Sequence, residues 1–168
     1  MALPINVVDL LRPRKIESKR IEFKKGWYPD RIYRSICAFA NDFDNIGGGY
    51  ILVGVEEENG VAKRPVADLP TEQIDSILKE MINFNNKIKP FYFPRIEIVY
   101  INSKSIIVIW CLSGINRPYD VSENVTSKNN PQRKCYIRSG SSTIEAKVYV
   151  FNEIREMANF YLCSANQN

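Results

Sequence analysis

The sequence predicts an α+β fold in which helices pack on a mixed β-sheet of about five to six strands. Two nearly continuous apolar runs, 50–55 and 106–112, are typical of central strands that are buried on both faces. Apolar residues recur at helical spacing over 30–44 and 71–85, which predicts two amphipathic helices. The 168 residues have the length of a single domain, with its core expected at about 5–160.

The N-terminal part begins with a short predicted helix followed by a charged strand. Asn6 is a suitable N-cap for a helix over 5–11. Residues 16–24 are predicted to form a strand, and one of its faces carries Glu22 between two basic residues. The simplest interpretation is a solvated edge strand whose lysines prevent pairing with another chain. A strand that carries a binding or catalytic site is the alternative.

A helix, a run of glycines and a buried strand come next. Asp30 is the expected N-cap of the helix over 30–44, and Gly47–Gly49 are expected to end it. The strand at 50–55 then leads into a turn at 56–60. In phosphate-binding loops the glycines follow a strand and open a helix. The reversed order here favours a tight turn over an anion cradle.

The second half of the chain alternates helices with a hairpin and a long polar segment. The predicted elements are a helix at 71–85, a hairpin of strands 95–101 and 105–112, a loop at 113–133, a strand at 135–138 and a helix at 146–162. A loop of that length in a compact domain tends to be functional or mobile.

The composition excludes several classes of enzyme. The chain contains no histidine, which removes Ser-His-Asp and Cys-His mechanisms and the H-E-x-x-H metallopeptidases. Its four cysteines are far apart and form no C-x-x-C pair, so we expect buried free thiols and neither a disulfide framework nor a zinc site. Metal chemistry would therefore depend on carboxylates, which favour Mg²⁺ or Mn²⁺.

Charge and hydropathy bear on the partners of the protein. The net charge of +4 permits nucleic-acid binding but does not by itself argue for it. No apolar run approaches the roughly 18 residues of a membrane span. We therefore expect a cytoplasmic protein that does not interact with a membrane.

Four short blocks of the chain, taken together, resemble the Schlafen-type domain, which is also called AlbA-like. The blocks are Glu17 with Glu22-Phe-Lys24, then 36–41, 48–57 and 136–141. The resemblance extends over about 5–160 and implies a DNA-binding domain of bacterial transcriptional regulators. Such regulators are often labelled as ATP-binding or helicase-related. Our leading expectation is therefore nucleic-acid binding without catalysis and without a required cofactor.

The resemblance also implies an enzymatic alternative. Similar domains of the animal Schlafen proteins cleave tRNA and rRNA with three acidic residues and a divalent metal. These positions fall on Glu17, Glu22 and Glu57, which would be both metal ligands and catalytic residues with Mg²⁺ or Mn²⁺. Further alternatives are ATP or nucleotide binding around Gly47–Gly49 and 138–141, and a structural module that forms a homodimer.

Basic and hydroxyl side chains are the expected contacts to nucleic acid. Contacts to phosphate give an affinity that depends on salt and is largely independent of sequence. The expected phosphate contacts are Lys19, Arg20, Lys24, Lys25, Arg31, Arg34, Lys128, Arg133, Lys134, Arg138, Ser139 and Ser141. Trp27, Tyr28 and Tyr119 could stack on unpaired bases, although packing is the more common role of such residues.

Overall fold

The computed structural model describes residues 3–12, 18–129 and 131–165, and within these ranges the chain forms four helices and eleven strands. The helices are α1 (Val7–Leu10), α2 (Pro29–Asn41), α3 (Thr71–Asn85) and α4 (Val148–Ala165). The strands are β1 (Ile21–Lys24), β2 (Gly49–Val53), β3 (Glu57–Glu58), β4 (Val61–Ala62), β5 (Ile88–Lys89), β6 (Arg95–Ile101), β7 (Lys104–Cys111), β8 (Asp120–Ser122), β9 (Arg133–Lys134), β10 (Tyr136–Ser139) and β11 (Ser142–Glu145).

A mixed sheet organises the domain and confirms the predicted α+β class. In the described chain its strand order is β1-β2-β7-β6, with β1 parallel to β2 and the other neighbours antiparallel. The two apolar runs form β2 and β7, which occupy the central positions as expected. The shorter polar strands pair locally in smaller sheets, β3-β4, β5-β8-β9 and β10-β11, and this leaves the main sheet with four strands among the described residues.

The two faces of the main sheet bury different parts of the chain. Successive side chains of a strand point to opposite faces. Ile51 and Ile109 pack with Ile36 of α2 in one apolar cluster. Leu52 packs with Leu10 of α1 in the cluster on the other face. Each such side chain contributes about 1.5–3 kcal/mol through the removal of its apolar surface from water.

Several boundaries agree closely with the sequence. The Asn6 side chain accepts a hydrogen bond from the backbone N–H of Val8 at 3.0 Å and so caps α1 as predicted. Helix α3 spans the predicted 71–85, and the hairpin of β6 and β7 lies where it was expected.

None of the described helices is long and apolar enough to cross a membrane.

The start of α2 differs from the prediction. Tyr28 occupies the N-cap position and Pro29 the first turn, where proline needs no hydrogen-bond partner. The Asp30 carboxylate instead accepts hydrogen bonds from the backbone N–H and the hydroxyl of Thr126, at 3.0 and 2.9 Å. The predicted N-cap role of Asp30 was therefore wrong, because a distant segment uses its carboxylate.

The end of α2 was also predicted wrongly. The helix stops at Asn41 because Asp42 adopts a left-handed conformation with φ of 42°. The carboxylate of Asp42 then accepts hydrogen bonds from the backbone N–H groups of Ile46 and Gly47, both at 2.9 Å. An aspartate, and not the glycine run, ends the helix, since its side chain satisfies the backbone of the following turn.

Some connecting segments contain more or less strand than expected. Strand β1 begins only at Ile21, because 18–20 form a turn, and residues 16 and 17 of the predicted strand lie outside the described residues. The predicted loop at 113–133 contains β8 and ends in β9. The turn after β10 leads into β11 before the last helix starts at Val148, so β10 and β11 form a hairpin.

The glycine run is required for close packing against β7. A Cβ atom on Gly48, whose φ is +75°, would lie 2.0 Å from the carbonyl oxygen of Cys111. A Cβ atom on Gly49 would lie 2.2 Å from the ring of Phe39. The amide of Gly47 is already bonded to Asp42. These contacts explain why the tight turn into β2 is formed by glycines.

The substitution Gly48→Ala should destabilise the protein more than Gly140→Ala. Both glycines have positive φ, but a Cβ on Gly140 meets nothing within 4 Å. Gly140→Ala should lower the free energy of unfolding by about 1–2 kcal/mol through backbone strain alone. Gly48→Ala should lose about 1–3 kcal/mol more through the clash with Cys111. Urea unfolding measures both, and equal losses would show that close packing is not the reason for this glycine.

Candidate functional site

A surface groove of about 300 Å³ lies where β1, the first half of α2 and the β10–β11 hairpin meet. We call it the basic groove, because four cationic side chains and a set of hydroxyl groups surround a single carboxylate. Its lining residues are Glu22, Lys24, Arg31, Arg34, Ser35, Arg138, Ser141, Ser142 and Thr143.

Strand alternation and hairpin register bring these side chains together. Ile21 and Phe23 of β1 belong to the apolar cluster that also contains α1, so Glu22 between them points to the face covered by α2. Arg138 and Thr143 are direct cross-strand partners of the β10–β11 hairpin and therefore share a face. The hairpin packs against α2 and so directs this pair toward Glu22.

Glu22 is the buried centre of the groove. One carboxylate oxygen lies 2.7 Å from a guanidinium nitrogen of Arg138. The other accepts the Ser35 hydroxyl at 2.9 Å and lies 2.6 Å from the Lys24 ammonium. Glu22 and Arg138 are only 4% and 7% exposed, so this is an internal ion pair and not a surface one. The interpretation of the charged strand as merely solvated does not hold for Glu22.

Arg138 connects the elements around the groove. Its guanidinium donates to the Thr143 hydroxyl at 2.8 Å and to the backbone oxygens of Ser18 and Ser141, at 3.1 and 2.7 Å. It also lies 4.9 Å above the centre of the Phe39 ring. These donors are directed at protein acceptors, so Arg138 contributes positive charge from the floor of the groove while it holds β1 and the hairpin together.

The cations at the rim differ in how strongly they are engaged. Arg34 is partly used by the polar segment, since it donates to the backbone oxygen of Glu123 at 2.8 and 3.2 Å. Arg31 is exposed and makes no hydrogen bond or ion pair with any residue in the described ranges. Lys24 pairs with Glu22 but keeps further N–H donors. Arg31 and Lys24 are therefore the side chains that are most able to bind an incoming anion.

Most of the other predicted phosphate contacts lie away from the groove and have acidic partners. The pairs are Lys19 with Asp44, Lys25 with Glu56, Arg133 with Asp120, and Lys134 with Glu123 and Glu145. Arg20 donates to the backbone oxygen of Gly48, and Lys128 and Ser139 are exposed outside the groove. Of the cations predicted to contact phosphate, the structure thus brings four together in the basic groove, and the others lie apart from it.

The three acidic positions of the enzymatic alternative are only partly described. Glu22 lies in the groove, whereas Glu57 is exposed in the β3–β4 hairpin and accepts the backbone N–H of Gly60 at 2.6 Å. Glu17 lies outside the described residues. Among residues 3–12, 18–129 and 131–165, no group of three or more His, Cys, Asp or Glu side chains is arranged to hold a metal ion. The three-carboxylate site stays a prediction.

The three candidate stacking residues differ in how exposed their side chains are. Tyr119 is 2% exposed and packs in the core, so it takes the packing role and not the stacking role. The indole N–H of Trp27 donates to Glu80 at 2.8 Å, and its ring packs against the core. Tyr28, with 47% of its surface exposed, is the one of the three that is accessible.

Sequence reasoning missed Asn41, which is completely buried and supports the site. Its amide nitrogen donates to the backbone oxygens of Tyr119 and Tyr136 at 3.0 and 2.8 Å, and its oxygen accepts the N–H of Tyr119 at 2.6 Å. It thereby fixes both the polar segment and β10 to α2. Ser35 was missed as well. Both are polar residues at core spacing on α2, which is the signal that could have revealed them.

The prediction of buried free thiols is confirmed for three of the four cysteines. Cys37, Cys111 and Cys135 are buried free thiols, and Cys163 is exposed. Burial raises the pKa of Cys135 to about 12 and also raises the pKa of Cys37. These thiols therefore stay protonated near neutral pH and are unsuited to act as nucleophiles.

Comparison with known proteins now identifies the domain. A protein-family model described as Schlafen, AlbA_2 matches residues 17–147. This match contains β1, α2, the glycine turn and the whole β10–β11 hairpin. The groove is built from β1, α2 and that hairpin. The chain belongs to the Schlafen AlbA_2 family. No curated protein matches the sequence.

Two solved structures resemble this AlbA_2 domain. The DIP2311 protein from Corynebacterium diphtheriae superposes with a TM-score of 0.51 at 15% identity, over 81% of this chain. The AlbA_2 chain spans only 27% of that protein's length, and the likeness concerns the fold alone. The second is the N-terminal domain of a protein from Nitrosomonas europaea described as RecG-related, with a TM-score of 0.48, 24% identity and coverage of 79% and 86% of the two chains.

Removal of Arg138 should be strongly destabilising. Arg138→Ala leaves Glu22 buried with its main partner lost, and we expect a decrease of about 3–5 kcal/mol in the free energy of unfolding. The double variant Glu22→Leu with Arg138→Met should recover part of this loss, because no unpaired buried carboxylate remains. The control Lys19→Ala breaks an exposed pair and should cost less than about 1 kcal/mol. Urea unfolding compares all three, and similar losses for Arg138→Ala and Lys19→Ala would contradict the role of the buried pair.

Proposed function

We propose that this AlbA_2 domain binds nucleic acid through the basic groove and does not cleave it. The observation that carries the proposal is the convergence of four cationic side chains and several hydroxyl groups around one neutralised carboxylate. Phosphate oxygens accept hydrogen bonds from both kinds of donor, and Arg and Lys are the usual partners of nucleic-acid phosphates. The association of the Schlafen/AlbA_2 family with nucleic acids supports the same conclusion.

The groove suits the sugar-phosphate backbone. Its volume of about 300 Å³ is at the lower limit of ligand pockets and holds a phosphate with its sugar, but not a duplex. Arg31 and Lys24 at the rim would contact the phosphate directly, while the buried Arg138 adds positive potential from below. Such contacts carry no base information. We therefore infer that the domain binds nucleic acid without a strong sequence preference. This binding is compatible with a DNA-binding domain of a cytoplasmic transcriptional regulator.

Metal-dependent RNA cleavage is the second candidate, because Glu22 lies on the floor of the same groove. For Glu22 to bind Mg²⁺ or Mn²⁺, its bonds to Arg138, Lys24 and Ser35 would have to be exchanged for metal coordination. Arg138 would then lose the partner of its buried charge, which is costly. This cost is the physical reason to place binding before catalysis.

Binding should depend on Arg31 and on salt. Fluorescence anisotropy with labelled single-stranded DNA, RNA and duplex DNA should show affinity that falls as salt rises. Arg31→Ala should weaken binding about tenfold and reduce the slope of log K against log salt by about one. The matched control is Lys19→Ala, which removes an exposed cation outside the groove and should change the affinity less than twofold. Equal effects of the two substitutions would place the interface elsewhere.

The nucleic acid should stay intact with and without metal. We expect binding of labelled tRNA to persist in EDTA, and no cleavage to follow addition of Mn²⁺. Cleavage that requires Mn²⁺ and is lost in both Glu22→Gln and Glu57→Gln would establish the ribonuclease instead. Glu57 is exposed, so its substitution tests catalysis without disturbing the fold. Circular dichroism of Glu22→Gln shows whether loss of activity reflects chemistry or unfolding.

A further inference from the structure

A second depression lies on the face of the main sheet opposite to α2. Its volume is about 530 Å³, and it opens to the surface between the N-terminal segment and strands β2 and β7. Ile5 and Leu10 form one side, and Tyr50 and Trp110 form the other. We call it the aromatic pocket. It is separate from the basic groove, because the two sites use opposite faces of the sheet.

The aromatic side of this pocket is held in place by its neighbours. Strand pairing places Ile21, Tyr50, Trp110 and Arg95 in one row across β1, β2, β7 and β6. The rings of Tyr50 and Trp110 are nearly parallel, with centroids 6.2 Å apart and an angle of 11° between their planes. The Arg95 guanidinium lies 5.7 Å from the centre of the Trp110 ring. A fixed apolar wall of this kind is typical of small-molecule sites.

A few polar groups accompany this wall. Neither the phenol of Tyr50 nor the indole N–H of Trp110 hydrogen-bonds to a residue in the part of the chain that is described. Arg20 lies at the mouth, where its Nε donates to the backbone oxygen of Gly48 at 3.2 Å, and within the described ranges its terminal nitrogens make no hydrogen bond or ion pair. Burial raises the pKa of Tyr50, so the phenol is a neutral donor near pH 7. No carboxylate of the described residues lines the pocket.

We propose that the aromatic pocket binds a small planar aromatic anion, with its ring between Ile5 and the Tyr50–Trp110 wall and its anionic group on Arg20. The apolar sides favour a flat ring, and the phenol and indole donors fit its polar edge. The guanidinium is the only charged side chain among the described lining residues, and it selects a negative group. This chemistry is shared by mononucleotides and aromatic carboxylates. The binding of such a ligand does not depend on the function proposed for the basic groove.

Trp110 provides a direct measurement. The chain has two tryptophans, so Trp27→Phe leaves Trp110 as the only one that fluoresces. We expect a saturable change in its emission with AMP, with 4-hydroxybenzoate, or with both. Adenosine, which has the ring without the phosphate, and ribose 5-phosphate, which has the phosphate without the ring, should each bind about tenfold more weakly. A response to AMP alone identifies a mononucleotide site, and a response to 4-hydroxybenzoate alone identifies a site for aromatic carboxylates.

Substitutions separate this pocket from the basic groove. Arg20→Gln should weaken the binding of the anion about tenfold but change adenosine binding less than twofold. Arg31→Ala, in the basic groove, should leave the response unchanged. The proposal is overturned if neither anion binds at up to about 1 mM, or if Arg31→Ala abolishes binding while Arg20→Gln does not. Calorimetry on the chain with both tryptophans repeats the test without dependence on Trp27→Phe.

Discussion

The buried ion pair between Glu22 and Arg138 is the interaction on which the site depends. It joins β1 to the β10–β11 hairpin, and Ser35 adds α2 to the same network. A buried charge without its partner is far more costly than a broken surface pair. The hairpin is therefore held in one position relative to β1, and the rim cations Lys24 and Arg31 are presented around a floor of fixed charge.

The central sheet gives the domain two chemically different sites. Because side chains alternate along a strand, β1 directs Glu22 and Lys24 toward the basic groove and Ile21 toward the aromatic pocket. Strands β2 and β7 separate the two sites with apolar layers on both faces. A shift of one residue in the pairing of β1 would exchange these side chains between the faces, so the register is strongly specified.

Asn41 holds the polar segment in place by hydrogen bonds, as Arg138 does for the β10–β11 hairpin. A long segment without apolar periodicity would pay a large entropic cost to adopt one conformation. Here it is fixed by the amide of Asn41, by the buried ring of Tyr119 and by the contact of Arg34 with Glu123. The Asn41 amide also donates to the backbone oxygen of Tyr136 and so fixes β10 to α2. The position of the basic groove thus depends in part on Asn41 and Tyr119, which do not line it.

The sequence alone determined the α+β class, both central strands, the bounds of α3 and the hairpin of β6 and β7, because each follows from local periodicity or turn chemistry. It also indicated Glu22, Lys24, Arg31 and Arg138 as site residues. Only the tertiary structure decided that Glu22 and Arg138, 116 positions apart, form a buried pair, and that Tyr119 belongs to the core. The physical reason is that such contacts join distant segments, and no local pattern records which distant side chain will neutralise a charge or cover a ring.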